Sequence, residues 1–384
     1  MTTNSFVLTN VDLVLGSEVV FGSVRIVDGV ILEVSEGRSS VPGAIDGAGD
    51  YLIPGLIEIH TDALEWHLRP RPQSVWPAAA AVAGHDAMLA ASGITTVLDS
   101  LCIGDLGGDG FRADILHRAI EAITSAQMNG ANRIDHYLHY RCEVADQRTP
   151  ELFASLINNP LVRLVSLMDH TPGGRQYRDL DAYRSQERSM RTSTGSVKED
   201  IDAYIDRLQT RQATYSMPNW ELLAKQTREL GLPLASHDDA TVSDIDLAVR
   251  SGVTISEFPT TEEAADAAHR NGMVTAAGAP NIVRGGSHSG NVAAADLAAS
   301  GLLDIVTSDY VPYSLLHAPF VLAATGVLPL PAAVALVTSG PAGAVELRDR
   351  GQVADNMRAD LITVRLHRGV PAVSSVYSAG KRVG

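Results

Sequence analysis

The sequence predicts an α/β fold: a (β/α)8 barrel carrying a small β-sandwich built from both chain ends. Three observations predict it. Both ends of the chain read as strands. The long middle alternates short apolar runs with helical stretches. The number of such runs is about eight, the count that closes a barrel.

The N-terminal strands come first. Phe6–Leu15 mixes apolar and polar positions. Val24–Val27 and Val30–Val34 flank Asp28-Gly29, a pair that supplies the positive φ of a tight hairpin turn. At the other end, Ala359–Leu366 and Val373–Ser378 are strand-like, separated by Gly369-Val370-Pro371. In the middle, a helix over Ala78–Ala91 stops at Ser92-Gly93, and the strand Ile94–Asp99 follows. A helix near Pro150–Ile157 leads to the strand Val162–Met168, and Trp220–Leu230 leads through Gly231 to Pro233–His237. Val253–Phe258, Met273–Gly278 and Asp304–Asp309 continue the series, and strands near Ile57 and over His136–Arg141 complete it. The domains expected are 1–54 with 345–384 as the sandwich, and 55–344 as the barrel. Residues 173–212 break the rhythm with many Arg, Asp, Ser and Gln. They read as an inserted loop plus a polar helix over the barrel mouth, or as a plain solvated surface helix.

Bulk properties narrow the function. A chain of 384 residues, 45% of them hydrophobic, builds a large core. A formal net charge of −15 argues against nucleic acid as a partner, because phosphate neutralisation needs a basic face. A polyanionic substrate would need local cations or a metal. Cys102 and Cys142 form no CxxC spacing. Neither a disulfide framework nor a structural zinc knuckle is expected, and a reducing cytoplasm is. The N-terminus has no basic region followed by an apolar one. The alanine-rich stretches Pro77–Ala83 and Pro319–Ala335 are interrupted, so no signal peptide or membrane span is expected.

The chemistry begins at Ile53-Pro-Gly-Leu-Ile-Glu-Ile-His60-Thr-Asp62. Residues two apart on a strand share a side, so His60 and Asp62 converge. Imidazole with carboxylate suits Zn²⁺, Mn²⁺ or Fe²⁺. Four later predicted strands end on a ligand-type residue: Glu143, His170, His237 and Asp309. Barrel chemistry sits at the C-terminal ends of the strands, so these residues join the candidate set.

This pattern resembles the amidohydrolase superfamily, whose barrels open with Pro-Gly-x-x-x-x-His-x-His or a close variant. Asp62 stands here in place of the second His. Lys198, Lys225 and Lys381 lie at no predicted strand end, which leaves Glu143 as the candidate bridging carboxylate. A closer resemblance is to the diphosphatase family of the carbon–phosphorus lyase pathway. It rests on Glu58-Ile-His-Thr-Asp-Ala-Leu-Glu-Trp-His67-Leu-Arg-Pro-Arg-Pro72, His170-Thr-Pro-Gly-Gly-Arg-Gln-Tyr177, Ser236-His-Asp-Asp-Ala-Thr241, Gly278–Asn291 and Ser308–Tyr313. It implies hydrolysis of a ribose methylphosphonate triphosphate, with release of pyrophosphate, by one or two divalent ions. Zn²⁺ is the first choice.

The expected metal ligands are His60, Asp62, Glu143, His170, His237 and Asp309, with His170 open between ligand and substrate contact. Asp309 would orient the attacking water and accept its proton. The phosphate candidates are Arg284, whose guanidinium pairs with phosphate, and the N–H-rich run Gly285, Gly286, Ser287, His288 and Asn291. A tight loop with a surface Arg is the plain alternative. His67, Arg69 and Arg175 are further substrate candidates, with Arg71 and Arg178 behind them. His85 reads as structural, and His117, His136, His139, His269, His317 and His367 as structural or surface. The expected partner is a phosphorylated small molecule, and the expected assembly a homodimer. Two rivals stay open: a hydrolase of cyclic amides or N-acyl groups in the same fold, and a scaffold without catalysis.

Overall fold

The structure is a computed structural model that describes residues 5–71, 73–105, 110–194, 200–287 and 290–384. Pro72, Lys198 and His288 of the sequence reading lie outside the described residues.

The N-terminal segment forms β1 (Ser5–Val14), β2 (Val19–Val27), β3 (Val30–Glu36), β4 (Ile45–Asp46) and β5 (Tyr51–Pro54). Asp28 and Gly29 hold φ of 48° and 84°, the left-handed pair that turns β2 into β3. The barrel strands follow: β6 (Leu56–Thr61), β7 (Ile94–Ile103), β8 (Asp135–Glu143), β9 (Val162–Met168), β10 (Leu234–His237), β11 (Ile255–Glu257), β12 (Val274–Gly278) and β13 (Ile305–Thr307). The C-terminus adds β14 (Leu361–His367), β15 (Val370–Ser378) and β16 (Lys381–Arg382).

These strands make two sheets. One runs β16-β15-β14-β5-β1-β2-β3, with β4 on β1, and joins both chain ends. Its core holds Leu8, Val11, Leu13, Val24, Ile26, Ile31, Leu52 and Leu361. The other runs from β6 through β13 in sequence order as a parallel barrel. A parallel bridge between Thr61 and Asp309 ties its last strand to its first. The fold is therefore the barrel with a separate terminal sheet that the alternation predicted.

The turn between β14 and β15 sits earlier than expected. Arg368 and Gly369 take φ of 53° and 85°, and Val370 and Pro371 belong to β15. A two-residue turn needs only those two left-handed positions. The polar stretch also differs in detail. It holds a short 3₁₀ turn, Arg175–Tyr177, a helix Leu180–Thr194, and one helix Ile201–Glu229 that absorbs the separate helix expected from Trp220. Asp200 caps that helix by accepting from the N–H groups of Asp202 and Ala203. Pro218 lies inside it without ending it.

By packing, the chain divides into two compact units. One comprises Met1–Asp99, Ala119–Leu138 and Ala276–Gly384, the other Ser100–Arg118 and His139–Thr275. In the first unit, Pro54-Gly55 carries the chain from β5 to β6. A Cβ on Gly55 would meet the Thr95 side chain at 2.2–2.8 Å, so only glycine lets β6 start against it. The same unit buries an ionic chain. His85 Nε2 lies 2.8 Å from Asp99 Oδ1, and His136 Nδ1 lies 2.7 Å from Asp99 Oδ2. Asp86 sits 3.5 Å from His136 and accepts from Arg133. Burial alone would lower His136. The charges and hydrogen bonds of Asp99 and Asp86 outweigh it and hold the imidazole up at about 9. Among the described residues, no helix is long and apolar enough to cross a membrane. Cys102 and Cys142 are both buried and form no disulfide.

Candidate active site

Every metal candidate lies at the C-terminal end of a barrel strand. Glu143 is the last residue of β8 and His237 the last of β10. His170 lies two residues past β9, and Asp309 two past β13. His60 is the penultimate residue of β6, and Asp62 follows that strand directly.

In the second unit the donors form a continuous line. His170 Nδ1 lies 2.7 Å from Glu143 Oε2, and its Nε2 lies 3.9 Å from Asp238 Oδ2. His237 Nε2 is 3.5 Å from the same Asp238 oxygen, and its Nδ1 is 3.5 Å from Glu257 Oε2. Glu257 in turn lies 3.9 Å from His139 Nε2. The ring nitrogens of His139 also meet the Ser100 and Ser166 hydroxyls at 3.2 and 2.9 Å. His170, His237 and Asp238 offer ligand atoms within 4.8 Å of one another. Donors about 2.0–2.2 Å from one ion lie no more than about 4.4 Å apart, a limit that the 3.9 and 3.5 Å from Asp238 Oδ2 to the two imidazoles meet, and imidazole with carboxylate suits Zn²⁺, Mn²⁺ or Fe²⁺. Burial pushes the Asp238 carboxyl up to about 6, against the opposing pull of His170.

In the first unit, His60, Asp62 and Asp309 meet at the barrel seam. Asp309 N–H donates to the His60 carbonyl at 3.1 Å, and Asp62 N–H donates to the Asp309 carbonyl at 3.3 Å. Thr61 Oγ1 donates to that same carbonyl at 2.8 Å. Asp309 takes φ of 54°, a left-handed conformation that costs an aspartate about 1 kcal/mol or more. The cost is sustained because both faces of its peptide are held. Beneath it, Glu58 spans the seam. Its Oε1 accepts from His60 N–H at 2.7 Å and its Oε2 from Ser308 N–H at 2.6 Å. Burial pushes the Glu58 carboxyl up to about 8.

The phosphate candidates divide. Arg284 is exposed at the end of the helix Ala279–Arg284, which directly follows β12. Gly285 N–H donates to the Ile282 carbonyl and Gly286 N–H to the Asn281 carbonyl, at 3.1 and 2.9 Å. These two amides close the helix C-terminus, so Gly285 and Gly286 shape the loop. Ser287 Oγ accepts from Asn291 N–H at 3.2 Å and folds the loop back. The His67 ring packs over Gly84 and edge-on to His85, 5.5 Å between centroids. Desolvation, with the charge of His85, lowers its pKa. Arg69 is half-buried just past the short helix Leu64–Leu68. Arg175 is turned inward, its Nη1 donating to the His237 carbonyl and to Asp239.

Three groups in this arrangement were not singled out in the sequence: Glu257, His139 and Asp238. Glu257 is the last residue of β11, one short of the end of the predicted strand Val253–Phe258, so the rule that picked Glu143 finds it once the strand's end is known. Alternation from Glu143 back through Arg141 finds His139. Asp238 has no such signal, because its φ of 57° turns it out of the strand pattern.

A parallel barrel with a sheet from both chain ends, and imidazoles and carboxylates at its strand ends, is an architecture also found in a solved amidohydrolase. Solved structures share the fold. An amidohydrolase aligns with TM-score 0.62 at 16% identity, over 99% of this chain and 98% of that one. The N-acetyl-D-glucosamine-6-phosphate deacetylase of Mycobacterium smegmatis aligns with TM-score 0.65 at 15% identity, over 99% of each chain. Dihydropyrimidinase from Brevibacillus agri NCHU1002 aligns with TM-score 0.61 at 13% identity, over 99% of this chain and 95% of that one. No protein-family model matches the chain. In sequence, it is 45% identical over 379 residues to alpha-D-ribose 1-methylphosphonate 5-triphosphate diphosphatase of Escherichia coli (strain K12), across 98% of this chain and 100% of the relative. The chain belongs to that diphosphatase family.

Proposed function

We propose that the chain hydrolyses α-D-ribose 1-methylphosphonate 5-triphosphate to the 5-phosphate and pyrophosphate, a step of phosphonate catabolism. The observation that carries this reading is 45% identity to the Escherichia coli diphosphatase across that enzyme's whole length. One or two divalent ions, Zn²⁺ first, would be held: one by donors among Glu143, His170, His237 and Asp238, and a second, where it binds, by His60, Asp62 and Asp309. When bound, such an ion would bring the pKa of its water down towards about 7 and offset phosphate charge.

The chain's own residues supply the rest. Asp309, fixed at the seam, orients the attacking water and takes its proton. Attack falls on the phosphorus nearest the ribose, and pyrophosphate leaves. A chain of net charge −15 needs local cations to hold a triphosphate. Arg284 supplies one from an exposed position, and Arg69 a second. Ser287, Asn291 and His67 offer polar contacts, and Gly285 and Gly286 give the loop its shape. His288, outside the described residues, belongs to the same run.

Two finer readings go with this. Buried cysteines outside any disulfide, Cys102 and Cys142, suit a cytoplasmic enzyme, and the chain is taken as a homodimer, which sedimentation measures. The domain reading keeps 1–54 and 345–384 apart from the barrel over 55–344. The mechanistic test is Asp309→Asn. Turnover should fall by orders of magnitude with the far-ultraviolet circular dichroism unchanged. Near-normal turnover would remove Asp309 from the mechanism.

A further inference from the structure

Arg175 looks, in sequence, like a phosphate contact. Its surroundings give it another task. It opens the 3₁₀ turn of the polar insertion with φ of 45°. Its Nη1 donates to the His237 carbonyl at 2.7 Å and to Asp239 Oδ1 at 2.9 Å. The side chain is 11% exposed, and its guanidinium carbon lies 5.3 Å from the centre of the buried Trp220 ring. Asp239 is fully buried and shared. Its second oxygen accepts from Ser256 Oγ at 2.7 Å and from Ser236 Oγ.

These contacts bracket one corner. His237 ends β10, Asp239 anchors the chain two residues later, and Asp238 stands between them in a left-handed conformation. Asp238 N–H donates to the Glu257 carbonyl at 2.9 Å, and its carboxylate faces His237 and His170. A left-handed aspartate persists only where its neighbours over-determine it. Arg175 does so from one side and the two serines, through Asp239, from the other. The loop carrying Arg175 is itself tied down, since Gln209 on the long helix donates to the Pro172 carbonyl at 2.9 Å.

We propose that Arg175, paired with Asp239, is a positioning residue that holds the His237–Asp238 corner in shape for metal, and that it makes no phosphate contact. The inference rests on the reading of His237 and Asp238 as metal ligands. It makes docking of the insertion a condition of a competent β10 end.

The test compares Arg175→Gln, Arg175→Lys, Asp239→Asn and the double variant Arg175→Gln/Asp239→Asn. Zn²⁺ affinity is measured by calorimetry on chelator-stripped protein, and kcat and KM for the ribose triphosphate on reconstituted protein. Each single variant should lose about tenfold or more in Zn²⁺ affinity. KM should stay within about twofold, and the double variant should be no worse than the worse single one, as for two members of one contact. Lysine should not rescue, because its shorter side chain ends before the position of Nη1 and carries no planar group to lie beside Trp220. The proposal is overturned if Arg175→Gln raises KM at unchanged Zn²⁺ affinity while Asp239→Asn behaves as the parent, or if Lys restores the parent's values. It also fails if both single variants fold and bind Zn²⁺ normally. Should Arg175→Gln not fold, Asp239→Asn and Arg175→Lys decide alone. Loss of the diphosphatase reading would show differently, as a parent protein that binds Zn²⁺ yet releases no pyrophosphate.

Discussion

Replacing Glu58 by glutamine should cost about 2 kcal/mol of folding stability, the central value for orphaning one buried donor. Glu58 is 0% exposed and gives one carboxyl oxygen to His60 N–H and the other to Ser308 N–H, at 2.7 and 2.6 Å. Glutamine keeps one acceptor and turns an NH₂ group towards the other N–H. One backbone donor then loses its partner in a dry place, which costs about 1–3 kcal/mol. Leucine removes both acceptors and should cost roughly twice as much. Unfolding entropy is about 2.1 cal/mol/K per residue. Over 384 residues that is about 0.8 kcal/mol/K, so glutamine should lower the melting temperature by roughly 2–3 °C and leucine by roughly 5 °C. Urea denaturation followed by tryptophan fluorescence reads the free energy directly. A glutamine variant as stable as the parent, or leucine no worse than glutamine, would refute the view that Glu58 clamps the seam.

Further outcomes follow from the same structure. The folded pKa of His136, about 9, lies above its ordinary value near 6.5. Its contribution to stability is thus complete below about 6.5 and lost as pH rises through about 9. Urea midpoints from pH 6 to 10 should fall on the alkaline side, and His136→Asn should flatten that limb; an equally steep limb in the variant would assign it elsewhere. Stripping the protein with a chelator should abolish turnover and lower the melting temperature, and added Zn²⁺ should restore both, since an ion that binds only the folded state stabilises it. No thermal response to Zn²⁺ would count against the ligand set. Gly55→Ala should destabilise by about 1–3 kcal/mol through overpacking against Thr95. Thr95→Ala, which removes the two nearest atoms, should recover part of it.

Much of this molecule was readable from local chemistry. Asp28-Gly29 announced its turn because two left-handed positions leave few alternatives. Residues at strand ends were readable because a parallel barrel gathers its chemistry there. Elsewhere, tertiary packing overrode local signals. Nothing in Arg175-Gln-Tyr177 says that the guanidinium turns inward to Asp239, since that carboxylate lies sixty-four positions on. Gly285 and Gly286 look like phosphate donors until the helix end before them is seen to take their N–H groups. The helix expected from Trp220 is the last part of a longer one, Ile201–Glu229, which runs through Pro218. Glu257 ends β11 as Glu143 ends β8, a likeness of position that the local sequence carries.

The central claim is tested most directly by product analysis. Metal-loaded protein is incubated with α-D-ribose 1-methylphosphonate 5-triphosphate beside ATP and GTP, and products are followed by phosphorus magnetic resonance. The account predicts one pyrophosphate per 5-phosphate formed, no free orthophosphate, and a clear preference for the ribose phosphonate. Orthophosphate as the first product, or no turnover of the triphosphate by protein that binds metal, would contradict it.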